Sequence, residues 1–447
     1  MRLNNSLLAF VRFFASLRMT NAKHLLNNVR KYIVNLFKKN PYNKTPFCYP
    51  EQSEGSLLTY MRSFAPLRMT NAKHLLSIIV TSLCLFACRG DEIIYLSEEH
   101  KVTDPVETKL IKGFYLLNEG SMGTNKSTLD LFDYSTGIYH MNIFAQANPT
   151  VVKEMGDVGN DLKIYGSKLY VVINCSNKLE IIDKNTTKKI KQIDIENCRY
   201  VTYHNGKVFV SSYAGPVSPG ANTPLGEVVE IDTASMEITR RVTVGYQPEE
   251  MVVSGNKLYV ANSGGYRAPN YDNTVSVINL NSFTEIKKIT VGINLHRMLI
   301  DKRGDLYVSS RGDHYEIEPN LYVIDTQTDE VKQDLKIPAN NMSICGDSIY
   351  VYSTFFSYNT GEYKIKYGII DAVTKQLVSD SFITDGTDLD IEMPYGIAIN
   401  PETKEIFVTD AQNYVASGYV MCYSPQGKLK WKKIAGNIPA HIAFIYK

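Results

Sequence analysis

Polar residues recur at one position of the chain, directly before the apolar part of seven short, strand-like runs. Aligned on the first apolar residue of each run, the preceding residues are Asp161, Arg199, Glu250, Arg297, Asn341, Gly396 and His441. One position earlier stand Asn160, Glu249, His296, Asn340 and Tyr395. Side chains of both charges, together with amides, can donate and accept hydrogen bonds around one polar ligand. The pattern indicates a binding site, although opposite charges at this position could also simply neutralise one another.

The sequence lacks the common catalytic motifs. The sequence holds no serine–histidine–aspartate elbow, no phosphate-cradling glycine loop and no HExxH. The segment DGTDLD carries Asp385, Asp388 and Asp390, but its spacing is not that of an EF-hand loop, and a solvated acidic turn is the favoured interpretation. We therefore expect no enzyme activity, no required cofactor and no metal site.

The elements that position these residues are clearest in Tyr246–Gly292. Four short runs rich in Val, Ile, Tyr or Thr follow one another there, and each is bounded by turn-forming residues. The runs are Met251–Val253, Leu258–Asn262, Thr274–Asn279 and Glu285–Val291. Such a small antiparallel sheet cannot bury both faces alone, so it needs copies of itself on either side.

The rest of the chain supplies those copies. The second strand of the unit recurs seven times, from Phe114–Asn118 to Ile406–Asp410, at intervals of roughly forty to fifty-seven residues, the range of propeller blades. We predict an all-β fold, a seven-bladed β-propeller of four-stranded antiparallel blades. The first unit lacks an inner strand before Gly113, and Ile438–Tyr446 has no blade after it. The C-terminal strand is therefore predicted to join the first blade and close the ring.

The loops after the second strands are predicted to open on the same face as the polar residues of the inner strands. Their aromatic and basic residues are Tyr213, Tyr266, Arg267, Tyr271, Arg311, His314, Tyr315, Phe355, Phe356, Tyr358 and Tyr414. Tyrosine offers large contact area at low entropic cost and a hydrogen-bonding tip. The predicted site is broad and aromatic, and it suits a large, flat ligand with many amides or hydroxyls.

The front of the chain is expected to lie outside this fold. Phe14–Leu26 recurs almost letter for letter as Phe64–Leu76, which is typical of a translated repetitive element. We expect residues 1–68 to be spurious; a basic targeting arm is the alternative. Residues 69–87 are predicted to be a signal peptide, ending before Cys88 in a string that resembles the lipobox of bacterial lipoproteins. Residues 88–112 would be the lipidated cysteine and a polar tether, and 113–447 the propeller.

Charge and cysteine content follow from this division. The chain has 48 basic and 46 acidic residues, of which 12 and 2 precede Cys88, leaving 36 and 44 and a net charge of −8. An acidic domain without basic clusters argues against a nucleic-acid partner. Cys175 and Cys198 are expected on one face of neighbouring units, where they could form a disulfide, and Cys345 and Cys422 are expected to be buried thiols.

Several strings resemble known propellers. LYVAN at Leu258–Asn262 and IFVTD at Ile406–Asp410 resemble the Tyr-Val-Thr-Asn repeat propellers, the YncE-like group. Longer strings resemble a narrower family, the BtuG-type surface lipoproteins of Bacteroides and relatives. They are GFYLLNEG, GDVGNDLKIYGSKLYVVINC, VGYQPEEMVV, LYVANSGGYRAPNYD, INLHRM, MPYGIAINPE and IPAHIAF, and the resemblance covers essentially all of residues 113–447.

This resemblance implies a lipid-anchored protein on the outer face of the outer membrane. It would capture cobalamin and deliver it to a TonB-dependent outer-membrane transporter, on which it sits as a lid. On the alignment above, the corrinoid's amide oxygens would accept from Arg199, Arg297, Asn341 and His441, and its amide nitrogens would donate to Asp161 and Glu250. A surface propeller for another ligand, such as a glycan or a protein, is the alternative.

Overall fold

Seven antiparallel sheets, six of four strands and one of five, make up the part of the chain that the computed structural model describes, residues 97–151, 155–217, 220 and 222–447. The protein is a seven-bladed β-propeller, as predicted. Within these residues the helical elements are α1 (Ile143–Ala147) and a 3-10 turn at Thr387–Asp390. None of the helices described there has the length and apolar character needed to cross a membrane.

Each blade runs from an inner strand at the central channel to an outer strand at the rim. The inner strands of blades 2 to 7 and then blade 1 are β5 (Gly159–Tyr165), β9 (Cys198–His204), β13 (Pro248–Ser254), β17 (Leu295–Ile300), β21 (Asn341–Cys345), β25 (Pro394–Ile399) and β29 (Pro439–Tyr446). The second strands of blades 1 to 7 are β2 (Ile111–Asn118), β6 (Lys168–Ile173), β10 (Lys207–Ser212), β14 (Lys257–Asn262), β18 (Asp305–Ser310), β22 (Ser348–Ser357) and β26 (Ile406–Asp410).

The third and outer strands complete each sheet. The third strands are β3 (Thr128–Asp133), β7 (Lys178–Asp183), β11 (Glu227–Asp232), β15 (Thr274–Asn279), β19 (Asn320–Asp325), β23 (Glu362–Asp371) and β27 (Ser417–Tyr423). The outer strands are β4 (Ile138–Met141), β8 (Lys189–Asp194), β12 (Glu237–Thr243), β16 (Thr284–Thr290), β20 (Glu330–Asp334), β24 (Gln376–Ser379) and β28 (Leu429–Asn437).

The hydrophobic core is divided into seven seams, one between each pair of neighbouring blades. The second and third strands alternate between the two faces of their sheet, and both faces are covered, so these strands read as nearly continuous apolar runs. The seam between blades 7 and 1 is the most aromatic, with Phe114 and Phe132 packed against Phe407 and Trp431. Radial repetition of this kind leaves only short exposed sheet edges.

The ring is closed by the pairing of β29 with β2. Phe114 lies opposite Phe444 and Leu116 opposite Ile442 in an antiparallel register. The sheet order β1-β4-β3-β2-β29 confirms that the C-terminal strand becomes the inner strand of the first blade. The two ends of the propeller domain thus share one sheet.

A β-bulge shapes the start of six of the seven inner strands. In β9, β13, β17 and β25 two consecutive residues oppose a single residue of the second strand, and β5 and β29 each hold one extra residue there. A bulge bends the strand and redirects side chains. The pairs Arg199-Tyr200, Glu249-Glu250, His296-Arg297 and Tyr395-Gly396 are the redirected residues, so the polar doublets seen in the sequence mark bulges.

A hydroxyl of the second strand supports three of these bulges. Ser211, Ser309 and Thr409 accept from the backbone N–H groups of Tyr200, Arg297 and Gly396, at 3.0, 2.9 and 2.7 Å. Ser211 and Thr409 also donate to carbonyls of the next inner strand. The hydroxyl therefore joins neighbouring blades as well as filling the bulge.

Acidic residues that end the third strands form turns. The Asp183 carboxylate accepts from the backbone N–H groups of Asn185 and Thr186 at 3.0 and 2.9 Å. Asp133, Asp232 and Asp371 make equivalent contacts. These carboxylates fix the hairpins at the rim, far from the channel.

The structure differs from the sequence prediction at the edge of the first blade. Part of the predicted polar tether is a strand, β1 (Glu98–Lys101), which pairs with β4 from Glu98 opposite Met141 to Lys101 opposite Ile138. The segment then runs back along the blade, with Val106 N–H donating to the carbonyl of Tyr134. The predicted extension, signal peptide and Cys88 lie outside the described residues.

Candidate functional site

The bulges and the loops after the second strands meet at one end of the channel, which we call the mouth. Tyr213 N–H donates to the carbonyl of Asn197, and Arg311 N–H donates to the carbonyl of Asn294, so each loop folds onto the start of an inner strand. The predicted placement of the polar and aromatic residues on one face is therefore what the backbone shows.

Glu249 is the centre of one half of the mouth. Its carboxylate lies 3.1 Å from Arg199 Nη2 and 3.5 Å from Arg311 Nη1, and Tyr213 donates its hydroxyl to it at 2.7 Å. Burial alone would raise the pKa of Glu249, but Arg199 and Arg311 outweigh burial and the pKa falls below its ordinary value. The Glu249 side chain is 1 % exposed, whereas the side chains of Arg199 and Arg311 are 14 % and 26 % exposed.

Glu119 is the centre of the other half. It follows β2 in blade 1, and its carboxyl accepts from the Tyr395 hydroxyl at 2.9 Å and lies 3.2 Å from His441 Nε2. Burial raises the pKa of Glu119 to about 7, against the opposing effects of Tyr395 and Arg297. This carboxyl can therefore act as donor or acceptor near neutral pH.

The ring of Tyr200 crosses the channel between the two halves. Its hydroxyl lies 2.8 Å from His296 Nε2 of blade 5, and its ring centroid lies 6.4 Å from that of His441 in blade 1. The guanidinium of Arg297 faces the same ring at 5.0 Å. Burial, then nearby arginines, holds the pKa of both histidines well below the ordinary value, so both imidazoles are neutral.

Three of the sequence-predicted residues are engaged inside the wall of the channel. Asp161 accepts from Val201 N–H at 3.0 Å, and Glu250 accepts from Met298 N–H at 2.9 Å. Asn341 donates to the carbonyl of Tyr395 at 3.2 Å. These groups join one inner strand to the next. Gly396, the member of the aligned set without a side chain, is packed against the Ala440 carbonyl, so a Cβ there would clash.

The aromatic residues divide into a buried and an exposed set. Tyr213 and Phe355 are buried, and Tyr213 stacks edge-on with the more exposed Tyr266 at 6.4 Å. Tyr414 lies edge-on to Tyr395 at 5.9 Å. Tyr271, in the loop of blade 4, is half-buried. Tyr315 is 55 % exposed.

An overhanging hairpin in blade 6 carries the most exposed aromatic cluster. β22 and β23 are ten residues long, and their outer ends extend beyond the six-residue strands of most other blades. Tyr358 stacks on Tyr315 at 5.0 Å, and Phe356 contacts both Tyr358 and Tyr363 at 5.1 and 4.9 Å. Tyr363 belongs to this cluster although it lies on a third strand and not in one of the loops after the second strands.

Two acidic residues were missed as site residues. Glu249 was seen only as the neighbour of Glu250, and the sequence could not tell which of the two faces the mouth. Glu119 directly follows a second strand, at the position that Tyr213 and Arg311 occupy in blades 3 and 5, but GFYLLNEG marks it only as a glutamate before glycine. Both glutamates are visible in the sequence, but the arrangement of the blades around the channel determines which carboxylates reach the mouth.

The predicted disulfide is not formed. Cys198 is buried, and its thiol lies 3.3 Å from the carbonyl of Lys178, while the exposed Cys175 directs its thiol to Asn174 Oδ1 at 3.5 Å. Cys198 lies at the start of the inner strand β9 and Cys175 lies in the loop after β6, and their thiols contact different groups. Among the described residues, no cluster of three or more His, Cys, Asp or Glu side chains could hold a metal ion.

Comparison with known protein families identifies the family of the chain but not its ligand. Residues 112–434 match the model of DUF5074, a domain of unknown function. The chain belongs to the DUF5074 family. This DUF5074 domain spans all seven blades apart from the closing strand and the first-blade edge strand. No curated protein matches the sequence.

Solved structures resemble this DUF5074 propeller at low sequence identity. A quinonprotein alcohol dehydrogenase-like protein of Bacteroides thetaiotaomicron is 15 % identical, with a TM-score of 0.50 over 75 % of this chain and 79 % of its own. Hydrazine synthase of Kuenenia stuttgartiensis is 15 % identical, with a TM-score of 0.48 over 60 % and 76 % of the two chains. Apo AztD of Citrobacter koseri is 12 % identical, with a TM-score of 0.43 over 76 % and 99 %. At such identities the first likeness shows the fold alone.

Proposed function

We propose that this protein is a non-enzymatic surface receptor that captures a corrinoid such as cobalamin at the mouth of its propeller. The observation that supports this most is the arrangement of Arg199 and Arg311 on the buried Glu249. Because the carboxylate fixes both guanidinium groups and both side chains remain partly exposed, we propose that they are preorganised donors for polar groups of a ligand.

A corrinoid offers chemistry that matches this mouth. The corrin is a broad disc with a fringe of amide arms, each of which needs a donor for its oxygen and an acceptor for its nitrogen. Arg199 and Arg311 donate on one side. Glu119, flanked by Tyr395 and His441, accepts on the other. Exposed tyrosines of the surrounding loops suit the apolar edges of the ring system.

The structure changes which residues are proposed to touch the ligand. Asp161, Glu250 and Asn341 are engaged between inner strands, so we propose that they support the mouth. The direct contacts are assigned to Arg199, Arg311, Glu119, Tyr266 and Tyr315. The resemblance to BtuG-type lipoproteins supports the ligand class, since corrinoid capture is what that family implies.

The proposed setting is the outer face of the outer membrane. The lipobox-like string ending in Cys88 supports a lipid anchor, and two-signal or acyl anchoring holds a protein domain at a membrane without a spanning helix. The captured corrinoid would pass to a TonB-dependent outer-membrane transporter. Both parts rest on the resemblance and on residues outside the described part of the chain.

A second candidate, a glycan or protein ligand, is favoured by one observation. Tyr315, Tyr358 and Tyr363 are each at least half exposed and form a continuous aromatic cluster on the overhanging hairpin. Exposed aromatic clusters of this kind commonly mark binding surfaces. A corrinoid receptor and a glycan or protein binder therefore make different predictions for the same face.

Calorimetric titration of the purified protein with cyanocobalamin separates the two candidates. We expect saturable binding that weakens about tenfold or more in Arg311→Met, which removes one preorganised donor. Arg303→Met is the matched control, because Arg303 pairs with Asp301 and Asp347 in a turn between the inner and second strands of blade 5, at the end of the channel opposite the mouth. Absence of heat and of co-elution with the folded wild-type protein would remove the corrinoid proposal and leave the second candidate.

A further inference from the structure

Arg297 is a buried cation whose own blade offers it no counter-ion. The residue is 7 % exposed, and its guanidinium faces the ring of Tyr200 at 5.0 Å. Within the described residues the guanidinium makes no ion pair and no hydrogen bond, and Nε is a buried polar atom without a partner. Its backbone N–H donates to the Ser309 hydroxyl, so among the described contacts only the side chain of Arg297 is left without a direct partner.

The neighbouring residue, His296, has a second buried nitrogen without a partner. Its Nε2 lies 2.8 Å from the Tyr200 hydroxyl, and its Nδ1 contacts no polar atom of the described chain. When Tyr200 donates to Nε2, Nδ1 carries the imidazole proton and is a donor. The bulge at the start of β17 directs both consecutive side chains to the same tyrosine, so the two donors lie in one region of the channel.

The surrounding carboxylates are occupied by other groups. Asp161 accepts from Val201 N–H and lies 3.5 Å from Lys163 Nζ, and Glu250 accepts from Met298 N–H and lies 3.9 Å from the same ammonium. Neither carboxylate comes within ion-pair distance, 4.0 Å, of Arg297. Glu249 is held by Arg199 and Arg311 across the mouth.

The charges around this point of the channel are mixed. Burial first, and then Arg297, Lys163 and Arg199, holds the pKa of His441 well below its ordinary value. Burial alone would lower the pKa of Arg297, but Tyr200, Glu250 and Asp161 outweigh burial and raise it. These carboxylates act from beyond contact distance, so a small anion in contact with Arg297 would accept the charge-assisted hydrogen bonds that they do not.

We propose that the central channel binds a small free anion, a halide or a short carboxylate, on the guanidinium of Arg297 with His296 Nδ1 as a second donor. The site lies in the channel beside Tyr200, uses none of the residues assigned above to direct corrinoid contact, and does not depend on what the mouth binds. An opening of about 390 Å³ at the opposite end of the channel reaches Lys163 and Glu250, the charged neighbours of Arg297. This opening, which does not pass the mouth, is the proposed route of entry for the anion.

Anomalous diffraction from wild-type crystals grown in sodium bromide tests the site directly. We expect a bromide peak within hydrogen-bonding distance of Arg297 and His296 Nδ1, against the ring of Tyr200. Ordered water bridging Arg297 to Asp161 and Glu250, with no anomalous signal there, would overturn the proposal. A bromide peak only at exposed lysines would overturn it as well.

A solution measurement tests the same site through variants. The melting temperature is followed against bromide or formate at constant ionic strength, with a bulky organic anion as the balancing salt. We expect the apparent anion affinity to fall about tenfold or more in Arg297→Met and to stay unchanged in Arg241→Met, which removes a positive charge from the outer strand β12. Equal anion dependence in wild type and Arg297→Met contradicts the proposal. If Arg297→Met does not fold, the wild-type bromide crystal decides.

Discussion

Two glutamates at the mouth differ in the direction in which their surroundings shift the pKa of the carboxyl group. Glu249 is ionised because two arginines outweigh the cost of its burial, and it fixes both of them. Glu119 lacks a direct cationic partner, and burial raises its pKa to about 7. One carboxylate is therefore a permanent anchor, while the other changes its protonation within the physiological range.

Removing the charge of Glu249 should strongly destabilise the fold. Glu249→Gln keeps the shape but leaves Arg199 and Arg311 facing each other without a counter-ion, and we expect a loss of about 3–5 kcal/mol. Urea denaturation of wild type and variant measures it. Glu227→Gln, which breaks the more exposed pair with Arg241 on the rim, should cost less than about 1 kcal/mol. Equal losses in the two variants would contradict the anchor role of Glu249.

Glu119 should make stability fall as the pH rises. Its folded pKa of about 7 lies above the ordinary value of 4.5, so between these pH values the folded state binds more protons than the unfolded state. Each rise in pH through that window therefore favours unfolding, by up to about 3 kcal/mol in total. The free energy of unfolding measured from pH 4.5 to 8 should decline less steeply in Glu119→Gln. Parallel curves for wild type and variant would show that Glu119 titrates normally.

The β-bulge of the inner strand and the second-strand hydroxyl that supports it are the element that positions polar side chains at the mouth. In four blades two consecutive inner-strand residues lie opposite a single second-strand residue, which redirects their side chains. The sequence revealed this element only in part. Polar doublets such as His296-Arg297 marked the place, and short runs rich in Val, Ile, Tyr or Thr marked the strands. Which member points inward could not be predicted, because a bulge breaks the alternation on which such a prediction depends.

The hydroxyl of Thr409 should contribute measurably to this element. Thr409→Val keeps the side-chain volume but leaves the N–H of Gly396 and the carbonyl of Pro439 without a buried partner, at a cost of about 1–3 kcal/mol. Thermal and urea unfolding of the variant report the loss. Thr409→Ser retains the hydroxyl and should recover most of the stability; a serine variant as weak as the valine variant would point to the methyl group instead.

At the scale of the molecule, seven seams share the core equally, and no single cluster dominates. Such a fold is readable from sequence because each blade repeats the same signals, so an error in one unit is corrected by six others. The site is not repeated. Glu119, Glu249 and Arg311 each occur in one blade only, and their meeting depends on the angle between blades, which no local pattern encodes.

Deleting Pro439–Lys447 should unfold the protein. The deletion removes β29, exposes the inner edge of β2 and opens the aromatic seam around Phe114. Circular dichroism and the cooperativity of thermal melting report the outcome. A chain that begins at Val102 lacks residues 1–101 and, of the described strands, only β1 at the rim of the same sheet; it is the control and should leave a cooperative transition. A cooperative melt after the C-terminal deletion would show that the ring is stable without closure.

The pairing of β2 with β29 also has a consequence for the order of events during biogenesis. The ribosome makes β29 after every other strand of the propeller, so a nascent chain holds an incomplete first blade until β29 has emerged. Closure of the ring therefore follows synthesis of all seven blades, and a chain interrupted before β29 keeps the inner edge of β2 unpaired.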